Sequence, residues 1–96
     1  MPKCYWICLY RSISKPENLA AYAKLAGPAV EANGGKFLAR GEAAAAFEAG
    51  VKSRTVIIEY PSLAAAQKAH DSKEYQAALA ALGDGAVRDL RFIEAV

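Results

Sequence analysis

The stretch Ser53-Arg-Thr-Val-Ile-Ile-Glu-Tyr-Pro-Ser62 leaves its part of the chain few choices. Its Thr-Val-Ile-Ile centre is β-branched, which stiffens χ1 and suits a pleated strand, and Pro61 ends that strand. Ser62 follows where a hydroxyl can cap a helix. Ser72 or Asp71 can cap another, at the start of Ser72-Lys-Glu-Tyr-Gln76. A strand followed by two capped helical segments therefore sits in the second half of the chain, and the remaining elements must be arranged around it.

The other elements follow from periodicity. A first strand is predicted from about Lys3 to Arg11, with Tyr5, Ile7 and Leu9 on one face and Cys4, Trp6, Cys8 and Tyr10 on the other. Ser14-Lys-Pro-Glu17 offers a cap, an early proline and a first-turn acid, and so announces a helix. Leu19, Tyr22, Ala23, Ala26 and Val30 give it an apolar stripe. Gly27-Pro28 is expected to interrupt that helix with a kink, because Pro28 lacks an N–H and crowds the carbonyl of Lys24. Asn33-Gly34-Gly35 tolerates the left-handed backbone that closes a helix.

A second strand is predicted over about Lys36 to Arg40 and a third over about Arg54 to Tyr60. Between them, the alanine-rich stretch from Gly41 to Gly50 is too short for an unsupported helix and is read as an irregular or extended hairpin arm. Leu63, Ala66 and Ala69 or His70 mark a short helix. Tyr75, Ala78, Leu79 and Leu82 mark a second, stopped by Gly83-Asp-Gly85, and a last strand spans about Val87 to Ala95. The order is β-α-β-β-α-β: an α+β, ferredoxin-like sandwich with a four-stranded antiparallel sheet and its helices on one face. Ninety-six residues make one such domain, residues 1–96.

Two helices can cover only one face of that sheet. Yet the first strand is apolar on both faces, and Ile57 and Ile93 run out of phase with Val56, Ile58 and Phe92. An antiparallel sheet with one wet face alternates more cleanly. Much of the 54% hydrophobic content is alanine, which buries little area per residue, so a lone chain is thinly stabilised. The expected remedy is a homodimer in which two copies pack sheet to sheet into a barrel-like core.

Gly34-Gly-Lys-Phe-Leu-Ala-Arg-Gly41, Ser53 to Ser62, Ser72 to Gln76 and the closing Phe92-Ile-Glu94 together resemble domain-of-unknown-function family 1330 over nearly the whole chain. The resemblance implies a dimeric α+β barrel and supplies no settled activity. The chain departs from the usual pattern at Glu42, where a second glycine is common, at Leu82, where an arginine is common, and at Lys73, which replaces a frequent proline. Barrel dimers of this size include cofactor-independent oxygenases, lactone isomerases and haem-degrading oxygenases, an analogy of fold that points to small-molecule chemistry.

Several function classes are excluded or set aside. The formal charge is +2 with no basic cluster, so a nucleic-acid partner is not expected. An RNA-recognition module shares the element order but needs aromatic platforms, where the third strand offers Val56, Ile57 and Ile58 with Tyr60 only at its end. Tyr5 to Tyr10 is apolar but ends at Arg11 and lacks a small-residue cleavage site, so neither a signal peptide nor a membrane span is expected and the location is read as cytoplasmic. Cys4 and Cys8 lie about 13 Å apart along a strand, too far for one disulfide or one metal, and are read as reduced, packed thiols. No cofactor, nucleotide or metal is indicated by any ligand spacing or phosphate-cradling loop.

The candidate site residues are few. If the second and third strands pair, Arg40 and Arg54 meet at the mouth of the arm, where two like charges call for an anion: Glu42, Glu48 or an acidic ligand held by forked guanidinium groups. His70 is the only histidine and the first place to seek a general base, or an axial ligand if the chemistry were haem degradation. Glu59 lies in an apolar strand and, if buried, needs a donor such as Arg40, Tyr22 or a ligand. Tyr75 is read as a core anchor whose hydroxyl reaches the edge. His70 and Glu59 are thus the catalytic candidates, and Arg40, Arg54, Tyr22 and Tyr75 the substrate-binding ones. The expected role is binding a small organic acid, with or without transforming it; the alternative is a non-catalytic metabolite-binding or scaffold dimer.

Overall fold

Alternation along the first strand decides which way the sheet faces. In the computed structural model, which describes residues 2–96, β1 (Cys4–Ile13) buries Cys4, Trp6, Cys8 and Tyr10, all at 2% exposure or less, while Tyr5 and Ile7 are half-covered and Leu9 is exposed. The even-numbered face meets the helices because it carries the bulkier rings. The order is β1, α1 (Pro16–Ala32), β2 (Lys36–Glu42), β3 (Arg54–Tyr60), α2 (Leu63–Asp71), α3 (Lys73–Leu82) and β4 (Ala86–Glu94). The strands lie β2-β3-β1-β4, every neighbour antiparallel. This is the ferredoxin-like α+β sandwich, its second crossover made of two helices.

The core is a layer of small helical residues on a layer of rings. Ala26, Ala29 and Val30 of α1, Ala66 and Ala69 of α2, and Tyr75 and Ala78 of α3 pack over Trp6, Val56, Ile58 and Tyr60. Trp6 is the hub: Tyr75 meets it edge-on at 4.9 Å, and Phe92 and Tyr60 lie at 5.1 and 5.9 Å between ring centroids. Alanine lets the helices sit close enough to the sheet for these rings to fill the space. Gly35 shows how close: a Cβ there would fall 2.6 Å from Val30 and 2.7 Å from the Tyr60 ring.

The α1 helix runs through Gly27-Pro28 to Ala32 with Pro28 inside it. Pro28 is exposed while Ala26, Ala29 and Val30 beside it are buried, so tertiary packing outweighs the ~3 kcal/mol a mid-helix proline costs. One local expectation is corrected: Ser14 does not cap α1. Lys15 holds the cap position without a side-chain bond, and the Ser14 hydroxyl donates instead to the carbonyls of Asp84 and Gly85 (3.4 and 3.3 Å). The backbone N–H groups of Ser14 and Lys15 donate to the same Gly85 carbonyl at 2.9 and 3.0 Å, which ties the start of α1 to the entry of β4. Ser62 and Ser72 do cap α2 and α3, accepting from the N–H groups of Ala65 and Tyr75.

The helix-free face of the sheet carries Tyr5, Ile7, Leu9, Ile57 and Ile93, with Ile93 56% exposed. Between β2 and β3, residues 43–53 form an irregular arm on which Phe47 is 81% exposed. No helix among the described residues is long and apolar enough to cross a membrane.

Candidate functional site

All four strands and α1 contribute to one cleft. Strand β1 brings Cys8 and Tyr10, α1 brings Tyr22, β2 brings Arg40, β3 brings Arg54 and β4 brings Arg88. Out to its mouth the cleft encloses about 400 Å³ between atoms, but only about 30 Å³ admits the centre of a water molecule, room for about two waters.

Register explains the convergence. Arg40 stands opposite Val56, and Arg88 stands opposite Tyr10, so both belong to the helix-covered side of the sheet, as does Arg54 two residues before Val56. Arg40 is exposed at the rim with its guanidinium 4.3 Å over the Phe37 ring. Arg54 and Arg88 are half-buried and share the Tyr10 ring, at 5.8 and 5.6 Å from its centroid. Arg88 donates to the Tyr22 hydroxyl (3.0 Å), the Tyr75 hydroxyl (3.4 Å) and the Cys8 sulfur (3.6 Å). The Tyr22 and Tyr75 hydroxyls are themselves hydrogen-bonded at 2.9 Å.

These cations form no ion pair among the described residues, although Glu42 stands opposite Arg54 in the β2–β3 register. Among the described residues, no carboxylate lies within 4.0 Å of a guanidinium nitrogen of Arg40, Arg54 or Arg88, and Glu42 and Glu48 form no ion pair. The Nε of Arg54 is buried with no hydrogen-bond partner at all. Burial opposes the Arg88 charge, but Tyr22, Tyr75 and Cys8 around it outweigh that penalty and its pKa is raised. Burial also lifts the Tyr22 phenol far above its usual range, reinforced by Tyr75 and only partly opposed by Arg88. It raises the Tyr10 and Tyr75 phenols and the Cys8 thiol as well. At neutral pH the cleft therefore holds neutral phenols, a neutral thiol and three guanidinium cations.

The sequence-predicted residues divide into two groups. Arg40, Arg54 and Tyr22 come together in the cleft, and Tyr75, 1% exposed, supports Tyr22 from behind. Glu59 lies on the helix-free face, where Lys3 reaches it at 3.4 Å, so neither Arg40 nor Tyr22 is its donor. His70 is near the end of α2, half-buried against Trp6 (5.9 Å) and Tyr75 (5.5 Å), with Nδ1 3.0 Å from the Asp71 carboxylate. It borders a separate open hollow with Gln67, Asp71 and Phe92. Arg88 was not anticipated. Its signal was there in the parity of β4, where it is in phase with the core-facing Leu90 and Phe92. Cys4 and Cys8 are free and buried, and the described residues hold no group of three His, Cys, Asp or Glu side chains that could bind a metal.

A ferredoxin-like sandwich with an arginine-lined cleft between sheet and first helix is the class that fold and site define. The chain belongs to the family described as domain of unknown function (DUF1330), whose model matches residues 3–96. No curated protein matches it. Among solved structures it is similar to a protein of unknown function from Rhodopseudomonas palustris (23% identity, TM-score 0.76, covering 99% of this chain and 83% of that one). It is also similar to a dimeric ferredoxin-like protein of unknown function from Thermobifida fusca (18%, TM-score 0.66, 98% and 92%). A third is SnoaB, a cofactor-independent oxygenase from Streptomyces nogalater (11%, TM-score 0.65, 100% and 95%). At these identities what is shared is the fold.

Proposed function

We propose that this protein is a homodimer that binds a small organic acid in the cleft between sheet and α1. The observation that carries this is the convergence of Arg40, Arg54 and Arg88 without a carboxylate partner, one of them with a buried, unpartnered Nε. Buried donors and charges left unpaired are costly, and forked guanidinium groups match the two oxygens of a carboxylate. Tyr22, whose hydroxyl accepts from Arg88, adds a neutral phenol beside them. Binding takes precedence over catalysis because the cleft offers no group poised to take a proton near neutral pH: its phenols and thiol are held protonated, and His70 and Glu59 lie outside it. The likeness to a cofactor-independent oxygenase favours a second reading in which the bound acid reacts without help from a metal or nucleotide.

The dimer has its own support. Tyr5, Ile7, Leu9, Ile57 and Ile93 lie on the helix-free face among the charged Glu59, Asp89 and Arg91, and the similar protein from Thermobifida fusca is described as dimeric. A second copy laid face to face removes this surface from water. The free, buried thiols suit a reducing, cytoplasmic setting.

Acetate, propionate and short dicarboxylates titrated into the protein at constant ionic strength test the binding reading. Trp6 lines the cleft and reports by fluorescence, and the melting temperature reports independently. A saturable change in both is expected. Absence of any change up to millimolar acid discards the reading.

A further inference from the structure

We infer that the acid this cleft takes is a short dicarboxylate, an inference that rests on the organic-acid reading above and narrows it. Charge comes first. Three guanidinium groups face the cleft without a single acid, so a monocarboxylate leaves two of the charges unanswered and a dicarboxylate leaves one.

Geometry divides those charges into two half-sites. At one end, Arg54, its buried Nε unpartnered, stands on the strand pair that carries Arg40. At the floor, Arg88 is anchored by Tyr22, Tyr75 and Cys8. The Tyr22 and Tyr75 hydroxyls share one hydrogen bond and both accept from Arg88, so they hold that guanidinium in place. Each half-site thus offers one carboxylate a guanidinium.

The spacing is within reach of one diacid. The Arg54 and Arg88 guanidinium carbons lie 5.8 and 5.6 Å from one ring centroid, that of Tyr10. They are therefore no more than about 11 Å apart, and with each held carboxylate carbon about 4 Å from its guanidinium carbon, a diacid whose carboxylate carbons are about 4 Å apart spans even that limit. A four-carbon diacid meets this.

The test is a comparison within one series. Calorimetry and melting shifts are measured for acetate, propionate, malonate, succinate and inorganic phosphate on the full chain at matched ionic strength. Malonate or succinate is expected to bind at least about tenfold more tightly than acetate or propionate, the gain a second charge-assisted contact brings. In Arg54→Met, and in the more conservative Arg54→Gln, that ratio is expected to fall to about one. If acetate matches the diacids, the dicarboxylate inference is overturned while the acid-binding reading stands. If phosphate matches them, charge alone is being read and the inference is again overturned. If no acid binds, both fail. The wild-type series decides the matter even if one variant does not fold.

Discussion

Replacing Arg54 by methionine should make the ligand-free protein more stable, the reverse of what truncating a half-buried side chain usually does. The Nε of Arg54 is buried and unpartnered, and a donor in that state costs about 1–3 kcal/mol. Arg54 and Arg88 flank one tyrosine ring, and two like charges no more than about 11 Å apart repel by at least about 1.5 kcal/mol at an effective dielectric constant near 20, less once physiological salt and the cross-strand Glu42 screen them. Against this stands the loss of the Arg54 contact with Tyr10, about 0.5–1 kcal/mol, while methionine keeps most of the apolar stem's packing. The net is a gain of about 1–2 kcal/mol, or a rise of roughly 4–15 °C in melting temperature for a domain of this size. The assay is thermal unfolding by circular dichroism at fixed protein concentration, in a chloride buffer free of carboxylates and phosphate. A fall of more than a few degrees would refute the reasoning, because it would mean that Arg54 is satisfied within the fold and has no vacancy for a ligand.

Three other outcomes are expected. Gly35→Ala places a methyl group 2.6–2.8 Å from Val30 and Tyr60, and should lower stability by about 1–3 kcal/mol in urea titrations, with the slope unchanged. Ile57→Lys puts a charge on the helix-free face and should shift the sedimenting species from dimer to monomer at micromolar concentration; an unchanged dimer would place the interface elsewhere. Burial raises the phenol of Tyr60, reinforced by Tyr22, to about 12, and those of Tyr10, Tyr22 and Tyr75 are raised too. The unfolded chain then loses these protons first, so their contribution is intact below about pH 10 and declines as pH rises through the folded values. Absorbance at 295 nm and melting temperature, followed together from pH 9 to 12.5, should show late phenol ionisation coinciding with lost stability.

How far residues alone foretold this molecule depends on whether the information was local. The Thr-Val-Ile-Ile strand and its two serine caps are local, and they form where the β-branched run and the hydroxyls require. The facing of β1 is not, because Tyr5, Ile7 and Leu9 compete with Trp6 and Tyr10 on nearly equal terms, and only the packed helices decide which set is buried. Ser14 misled for a related reason: a tertiary contact overrode its strong local preference. In the cleft, Arg40 and Arg54 were legible because a hairpin arm brings its two ends together. Arg88 was not, since its place beside Tyr10 depends on a pairing between the first and last strands, across almost the full length of the chain. Glu59 shares the parity of Ile57, which takes it to the other side of the sheet.

The carbonyl of Gly85 holds two amides from the approach to α1. Tyr22 is carried by the helix that leaves this junction and Arg88 by the strand that leaves it, three residues on. A side chain at Gly85 would meet Asn18, 2.7 Å from its Cβ, so a substitution in this turn strains the one junction from which both cleft residues are carried.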